Sequence, residues 1–443
     1  MAKSRRNSLA LMGESVFRMG AGFAVAILIA RQYGPDGLGL ITTASASVTI
    51  FLGFSALGLS GVLVRELVEK VSLRGQIMLT VTLAKLAAGG ALLVCLLASL
   101  SAFSADASLT NLTLIMGIGY LFASLDTVDC LYNAREEFMR LVTLRMAALV
   151  ASTGVKVLAI QAGWGLEWVA VGYALDYSLL YVLPALDFFF RSQKGFRSGE
   201  FKLRVELPEL GRLLRRSWPI LVSGGFAQVN LRVDALMIAA LMSVSNVGIY
   251  SAASRLSEAW SVIAMAIVTA IFPSLVKLAR SDVAAYGKEL SRLLRWLIWL
   301  SVCGGILIAF SAPVIIEIVY GSDFAPAAAV LAVHVFGGVF LFIRTAVSRW
   351  LIIENLFTFS LVSHAMGALV NVTLNLSLIP QFGIDGAAWS SVASYATSGL
   401  LFLLVSRRSR PMFFMIMWSA LPPRWSATAV SRIAITMSER RSI

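Results

Sequence analysis

The chain has 443 residues, 58% of them hydrophobic and 14% charged, with a formal net charge of +13. A soluble domain is roughly 45–50% apolar and about 25% charged, so this composition excludes an ordinary globular surface. The positive balance raises nucleic acid as a partner, but the basic residues flank apolar segments and no nucleic-acid fold accompanies them. Attraction to anionic membrane lipids is a sufficient reason for them.

The apolar residues come in blocks of roughly 18–24, long enough to cross a hydrocarbon core as helices. Twelve spans are expected, at about 9–30, 40–62, 76–101, 111–133, 143–162, 167–189, 218–241, 248–271, 295–316, 327–347, 358–380 and 385–405. The basic N-terminus leads into the first span without a convincing small-residue cleavage site, so that span is read as retained. The stretch ILIARQYGPDGLGLITTA, Ile27–Ala44, then turns through Gly34-Pro35-Asp36-Gly37 and becomes apolar again at once. Gly and Pro suit a tight turn and weaken a helix interior, so this is a loop between two membrane helices.

Loops on one side are short, and those on the other are longer and basic. The basic side, which holds both termini, takes 31 of the 37 Lys and Arg residues. The opposite loops hold only Arg31, and five more basic residues fall inside spans away from their basic-side limits: Arg18, Lys85, Lys156, Arg232 and Arg255. The positive-inside rule makes the basic side cytoplasmic. The longest connection, 191–217, carries eight basic residues between Arg191 and Arg216. It separates a six-helix bundle at 1–190 from a second at 218–410, followed by a cytoplasmic or interfacial tail at 411–443.

The halves resemble each other. Gly39 aligns with Gly248, superposing GPDGLG on SVSNVG, and GWGLEWVAVGYAL from Gly163 aligns with QFGIDGAAWSSVA from Gln381. Each half has an even number of spans, so the second enters the membrane in the direction of the first. That is a parallel repeat about an axis along the membrane normal. The expected fold is therefore an all-α integral membrane protein of about twelve transmembrane helices in two parallel-repeat bundles around a central cavity.

A charge within hydrocarbon costs roughly 2.5–3.5 kcal/mol on insertion scales, so each one needs a partner or a cavity. Glu14 and Arg18 share a helical face and can pair; otherwise Arg18 offers its charge to a ligand. Lys85, Arg232 and Arg255 are the further candidates for an anionic headgroup, with Arg232 first. It diverges from Asp234 by about 160° of helical rotation, which makes simple pairing poor. Lys156 is near a span end and can snorkel. Asp126, Asp129 and Asp176 are candidates for ion coupling; the alternative for the first two is pairing with Lys85 or Arg145. Asn371 and Asn375 suit helix–helix hydrogen bonding or glycan contact.

Cys95, Cys130 and Cys303 have no metal-site spacing, and His334 and His364 form no metal motif. No Walker motif, nucleophile elbow or clustered catalytic set is present, so no enzyme, cofactor or resident metal is expected. ATP-driven transport by this chain alone is therefore not expected, and the carboxylates within the spans suit proton or sodium coupling.

The opening region, RRNSLALMGESVFRMGAGFAVAILIARQYGPDGLGLITTASASVTIFLGFSALGL through Val64-Arg65-Glu66, resembles bacterial polysaccharide-biosynthesis flippases of the O-antigen translocase type. These belong to the multidrug/oligosaccharidyl-lipid/polysaccharide exporter superfamily. Arg31, Gly34 and Pro35 match the family's phrase after the first helix. Val247–Leu256 and Ile316–Pro326 resemble later family segments, and the resemblance covers about residues 1–410. It implies a two-lobed carrier of the bacterial inner membrane that turns a polyprenyl-pyrophosphate-linked oligosaccharide from the cytoplasmic to the periplasmic leaflet by alternating access. Glycan polymerase or chain-length machinery is a further candidate partner. Three readings stand beside it: a cation-coupled drug exporter of the same superfamily, a lipid II flippase (commonly two helices longer), and a non-transporting assembly protein for glycan machinery.

Overall fold

In hydrocarbon no water satisfies a backbone amide, so a spanning segment must bond its own N–H and C=O groups. The computed structural model describes residues 2–103, 106–192, 204–354 and 356–422, and these form helices, short 3-10 turns and loops, with no strand among them. Nine helical stretches among the described residues are long and apolar enough to cross a membrane. The all-α, multi-pass architecture expected from the sequence is the one observed.

The first helix, α1 (Ala2–Gly53), is a double-length element broken at Gly34, where φ is 65° and ψ −166°. Its 52 residues would rise about 78 Å if straight, against a hydrocarbon core of about 30 Å. The left-handed φ of Gly34, followed by Pro35, separates the first and second expected spans. The rest of the first half comprises α2 (Leu59–Glu69), α3 (Arg74–Phe103), α4 (Ala107–Leu121), α5 (Asp126–Ala134), α6 (Phe138–Gln161) and α7 (Leu166–Arg191).

Then come α8 (Leu207–Leu241), α9 (Val244–Ala259), α10 (Ser261–Ser281), α11 (Val283–Tyr320), α12 (Ala327–Ile353), α13 (Phe357–Gly399) and α14 (Arg410–Ser419). The seventh expected span lies within α8, which is not among the nine apolar stretches. Gln228, Asn230, Arg232 and Asp234 reduce its hydropathy. α13 is also double-length, broken at Gly383 with φ 62°. Gly165, which aligns with Gly383 in the internal repeat, has φ 99°. Ser243, which aligns with Gly34, is extended at φ −157° and caps α9 by accepting from the Asn246 amide. The turns therefore recur at matching places in both halves.

Packing divides the chain into two units, Met1–Leu236 and Met237–Ile443. The boundary falls inside α8 because the start of that helix is bound to the first unit. Glu66 on α2 is buried and takes Arg212 at 2.6 Å, Arg216 at 3.0 Å and Lys70 at 3.2 Å. Glu209 bridges Arg212 at 2.5 Å and Lys70 at 2.8 Å. The Arg212 guanidinium, helped by Lys70, lowers the Glu209 carboxyl to about 2. The Ser217 hydroxyl donates to the Leu57 carbonyl at 2.9 Å. Of the connection at 191–217, residues 193–203 lie outside the described residues, and α8 has already begun at Leu207.

The core of the second unit joins α11 and α12 through Leu290, Leu294, Leu297, Phe342, Val347 and Trp350. α14 completes it, with Met412, Met415 and Ile416 buried. The Ser291 and Ser419 hydroxyls are 2.8 Å apart, and Trp299 donates to the Ala420 carbonyl at 3.2 Å. The beginning of the tail is thus a docked helix, while residues 423–443 lie outside the described residues.

Candidate functional site

The first unit gathers its buried charges from α1, α3, α5 and α6. Glu14 on α1 accepts from Arg18 at 2.6 Å, and Arg145 of α6 lies 3.9 Å away. Arg145 turns its other terminal nitrogen to Asp129 of α5 at 2.5 Å. One helical turn earlier, Asp126 accepts from Lys85 of α3 at 2.7 and 2.9 Å and from the Ser60 hydroxyl at 2.9 Å. Three carboxylates and three cations balance within this group. Asp126 and Asp129 take separate cations, Lys85 and Arg145. Asp129 Oδ1 is buried without a hydrogen-bond partner.

A second buried pair joins α6 to α7. Lys156 and the Ser152 hydroxyl both donate to Asp176, and the Lys156 ammonium lies 4.7 Å from the centre of the Tyr173 ring. Lys156 is 3% exposed, so it turns inward to a carboxylate instead of snorkelling. The sequence alternative in which the aspartates meet Lys85 and Arg145 is the geometry seen. The structure brings Arg18, Lys85, Asp126, Asp129 and Asp176 each into an ion pair.

The other candidates differ. Arg232 on α8 is exposed and makes no ion pair or hydrogen bond among the described residues, whereas Asp234 is buried. Their opposite burial follows from the rotation between positions two apart on a helix. Arg255 on α9 is half-buried, also with no ion pair among the described residues. Asn371 and Asn375 on α13 are fully buried, and the Asn375 amide donates to Asn371 Oδ1 at 3.0 Å.

Arg145 and Arg344 lie inside the fifth and tenth expected spans, each within about three residues of the basic-side limit, where an arginine reads as part of the cytoplasmic flank. Both are inside helices, and Arg344 on α12 is 8% exposed. The Arg344 guanidinium donates to Ser363 Oγ at 2.9 Å, the Ser398 carbonyl at 2.8 Å and Ser360 Oγ at 3.3 Å. The available signal was the serine pair Ser360 and Ser363 near the start of the eleventh expected span.

Comparison with known proteins places this geometry. A family model described as polysaccharide biosynthesis protein matches residues 28–329. The chain belongs to the polysaccharide biosynthesis protein family. This member also resembles a probable lipid II flippase MurJ of Rhizobium meliloti (strain 1021), at 25% identity over 251 residues. That match covers 54% of this chain and 46% of the relative, so it spans about half of each. Among solved structures, lipid II flippase MurJ in an inward closed conformation superposes with a TM-score of 0.73 over 98% of this chain and 97% of the other, at 16% identity. An inward-facing multidrug resistance MATE family transporter of the MOP superfamily superposes at 0.64 over 95% and 96%, at 12% identity. The polysaccharide biosynthesis protein thus has the helical fold shared by these transporters.

Proposed function

We propose that this protein is a flippase for a polyprenyl-diphosphate-linked oligosaccharide, moving it from the cytoplasmic to the periplasmic leaflet of a bacterial inner membrane. The family match supports a polysaccharide precursor as cargo, and the flippase named among its relatives supports a lipid-linked one. The single site observation that carries the reading is the free guanidinium of Arg232. A diphosphate needs cationic donors, and arginine supplies a planar fork that fits its oxygens. Arg255 is the second such donor. Lys85 and Arg18 are already paired, so they reach the cargo only by exchanging a carboxylate for it.

No covalent bond changes in this process. The lipid tail stays in the bilayer while the glycan crosses by alternating access. Coupling to a proton or sodium gradient falls to the paired carboxylates. Asp129, with one oxygen unpartnered, is the member able to take an incoming cation without first losing Arg145. Asp126 and Asp176 follow. Asn371 and Asn375 contact glycan hydroxyls only by exchanging their mutual bond. A drug exporter is the second reading, favoured by the MATE likeness; the free arginines argue for an anionic cargo instead.

The test is translocation in proteoliposomes. A fluorescent polyprenyl-diphosphate oligosaccharide is followed by leaflet accessibility, with and without a pH or sodium gradient. Wild type is expected to flip it with gradient stimulation, and Arg232→Ala to lose at least tenfold in rate. Unchanged flipping in the variant removes Arg232 from the site. No flipping of the authentic glycan by folded wild type overturns the flippase reading and leaves drug export or an assembly role.

A further inference from the structure

Arg344 is the buried cation of the second unit with no carboxylate partner among the described residues. It sits nine residues before the end of α12 at Ile353, about 14 Å along the helix from that end. Its three acceptors are two serine hydroxyls and the Ser398 carbonyl at the end of α13. Those supply partial negative charge only, the helix end through its unpaired carbonyls. An ionisable residue inside a membrane protein ordinarily meets an opposite charge or marks a binding pathway.

One edge of the guanidinium is less fully bonded than the other. A guanidinium has five N–H groups in a fixed fork. Nη1 uses two, on Ser363 and Ser398, and Nη2 uses one on Ser360 in the longest of the three bonds. Nε is buried and has no acceptor. The Nε and Nη2 donors lie along the same edge of the planar group, forming the parallel pair that receives two oxygens of one carboxylate or phosphate. His364 follows Ser363 directly and lies four residues beyond Ser360, on the same face of α13; its ring makes no hydrogen bond among the described residues. Ser360 and His364, on the first turns of α13, are half-buried, unlike Ser363.

We propose that Arg344, with Ser360 and His364 beside it, forms an oxyanion site for a phosphoryl group. Two oxygens take the Nε–Nη2 edge, and Ser360 and His364 donate to the remainder. A phosphoryl group comes either from the diphosphate of the cargo or from the headgroup of an anionic phospholipid. The first source rests on the flippase reading, whereas the site itself rests on the donor geometry. Arg344 would then be a third anion-binding arginine, distinct from Arg232 and Arg255.

The experiment is equilibrium binding of a fluorescent short-chain prenyl diphosphate to the full chain in nanodiscs of neutral phosphatidylcholine. Wild type is expected to bind saturably, with inorganic diphosphate as competitor. Arg344→Gln is expected to weaken binding at least tenfold. Arg344→Lys, which keeps the charge and loses the fork, should fall between them. Ser360→Ala/His364→Ala removes the flanking donors and leaves the Arg344 tie to Ser363 and Ser398; it is expected to weaken binding threefold or more. This second variant also serves if Arg344→Gln fails to fold. Probe affinity that stays at the wild-type value in the folded variants, with only their melting temperature lowered, overturns the site and makes Arg344 a helix tie. Repeating the measurement in phosphatidylglycerol nanodiscs identifies the source: weakened probe binding assigns the site to headgroups, and unchanged binding assigns it to the cargo. A chain that binds the probe through Arg344 but flips nothing keeps this site while removing the flippase reading.

Discussion

The two units treat buried charge in opposite ways. In the first, Lys85, Arg145 and Lys156 each meet an aspartate drawn from a different helix, at distances as short as 2.5 Å for Arg145. In the second, Arg344 meets hydroxyls and the end of a helix. A closed ion pair fixes the helices that contribute it. A cation held by neutral groups keeps part of its field for something else. The buried lysines and arginines of the first unit are thus each tied to a carboxylate, whereas Arg344 of the second is tied to neutral groups.

The largest test of that contrast is to break one brace. Lys85→Met leaves Asp126 without its main partner, and removing one member of a buried pair typically costs about 3–5 kcal/mol. Thermal unfolding in detergent should show that loss. Lys85→Met/Asp126→Leu should recover most of it, because the uncompensated charge is gone. If the single and double variants melt together, the pair is not the brace described.

A smaller effect is expected at the contact of α8 with the first unit. Gly58 has φ 63°, and a Cβ there would lie 2.5 Å from the Leu221 amide nitrogen and 2.7 Å from the Ser217 carbonyl oxygen. Gly58→Ala should therefore cost about 1–3 kcal/mol and weaken the Ser217–Leu57 bond. Hydrogen exchange of the first turns of α8 reads this directly. Unchanged protection there would show that α8 is held by its ion pairs alone.

The smallest expected effect is acid sensitivity. Glu209 has its carboxyl lowered to about 2 by Arg212 first and Lys70 second. A group held below its unfolded value binds fewer protons when folded, so its stabilisation is complete above pH 4.5 and is lost as pH falls through about 2. Partial exposure screens the interaction, leaving roughly 1 kcal/mol or less. Melting curves between these pH values should flatten in Glu209→Gln. An unaltered acid slope would remove Glu209 from the set of groups that anchor α8.

Much of this architecture was legible because lipid imposes a simple rule on sequence. Apolar length gave the helices, and Gly34 and Gly383 marked reversals inside double-length elements. Pairs local to one helix were equally plain: Glu14–Arg18 and Asn371–Asn375 are four apart and meet as that spacing requires. Lys85 and Asp126 are 41 residues apart, so the sequence offered their contact only as one alternative. Arg344 escaped notice because a span limit uncertain by a few residues decides whether an arginine belongs to water or to the core. Its serine partners carry no charge and resemble ordinary helix-packing residues. The seventh span was expected at 218–241, but its helix already starts at Leu207, in a polar stretch that apolar length does not mark.

The docked helix Arg410–Ser419 bears on how the chain is made. Met412, Met415 and Ile416 fill a core otherwise built from residues more than a hundred positions earlier, on α11, and from α12. Synthesis runs from the N-terminus, so that part of the second unit waits uncovered until α14 emerges. Its apolar face must be sheltered meanwhile by lipid or by the insertion machinery. The first unit has no such dependence on α14. One half of the molecule can mature during translation, while the other closes only as translation nears its last described helix.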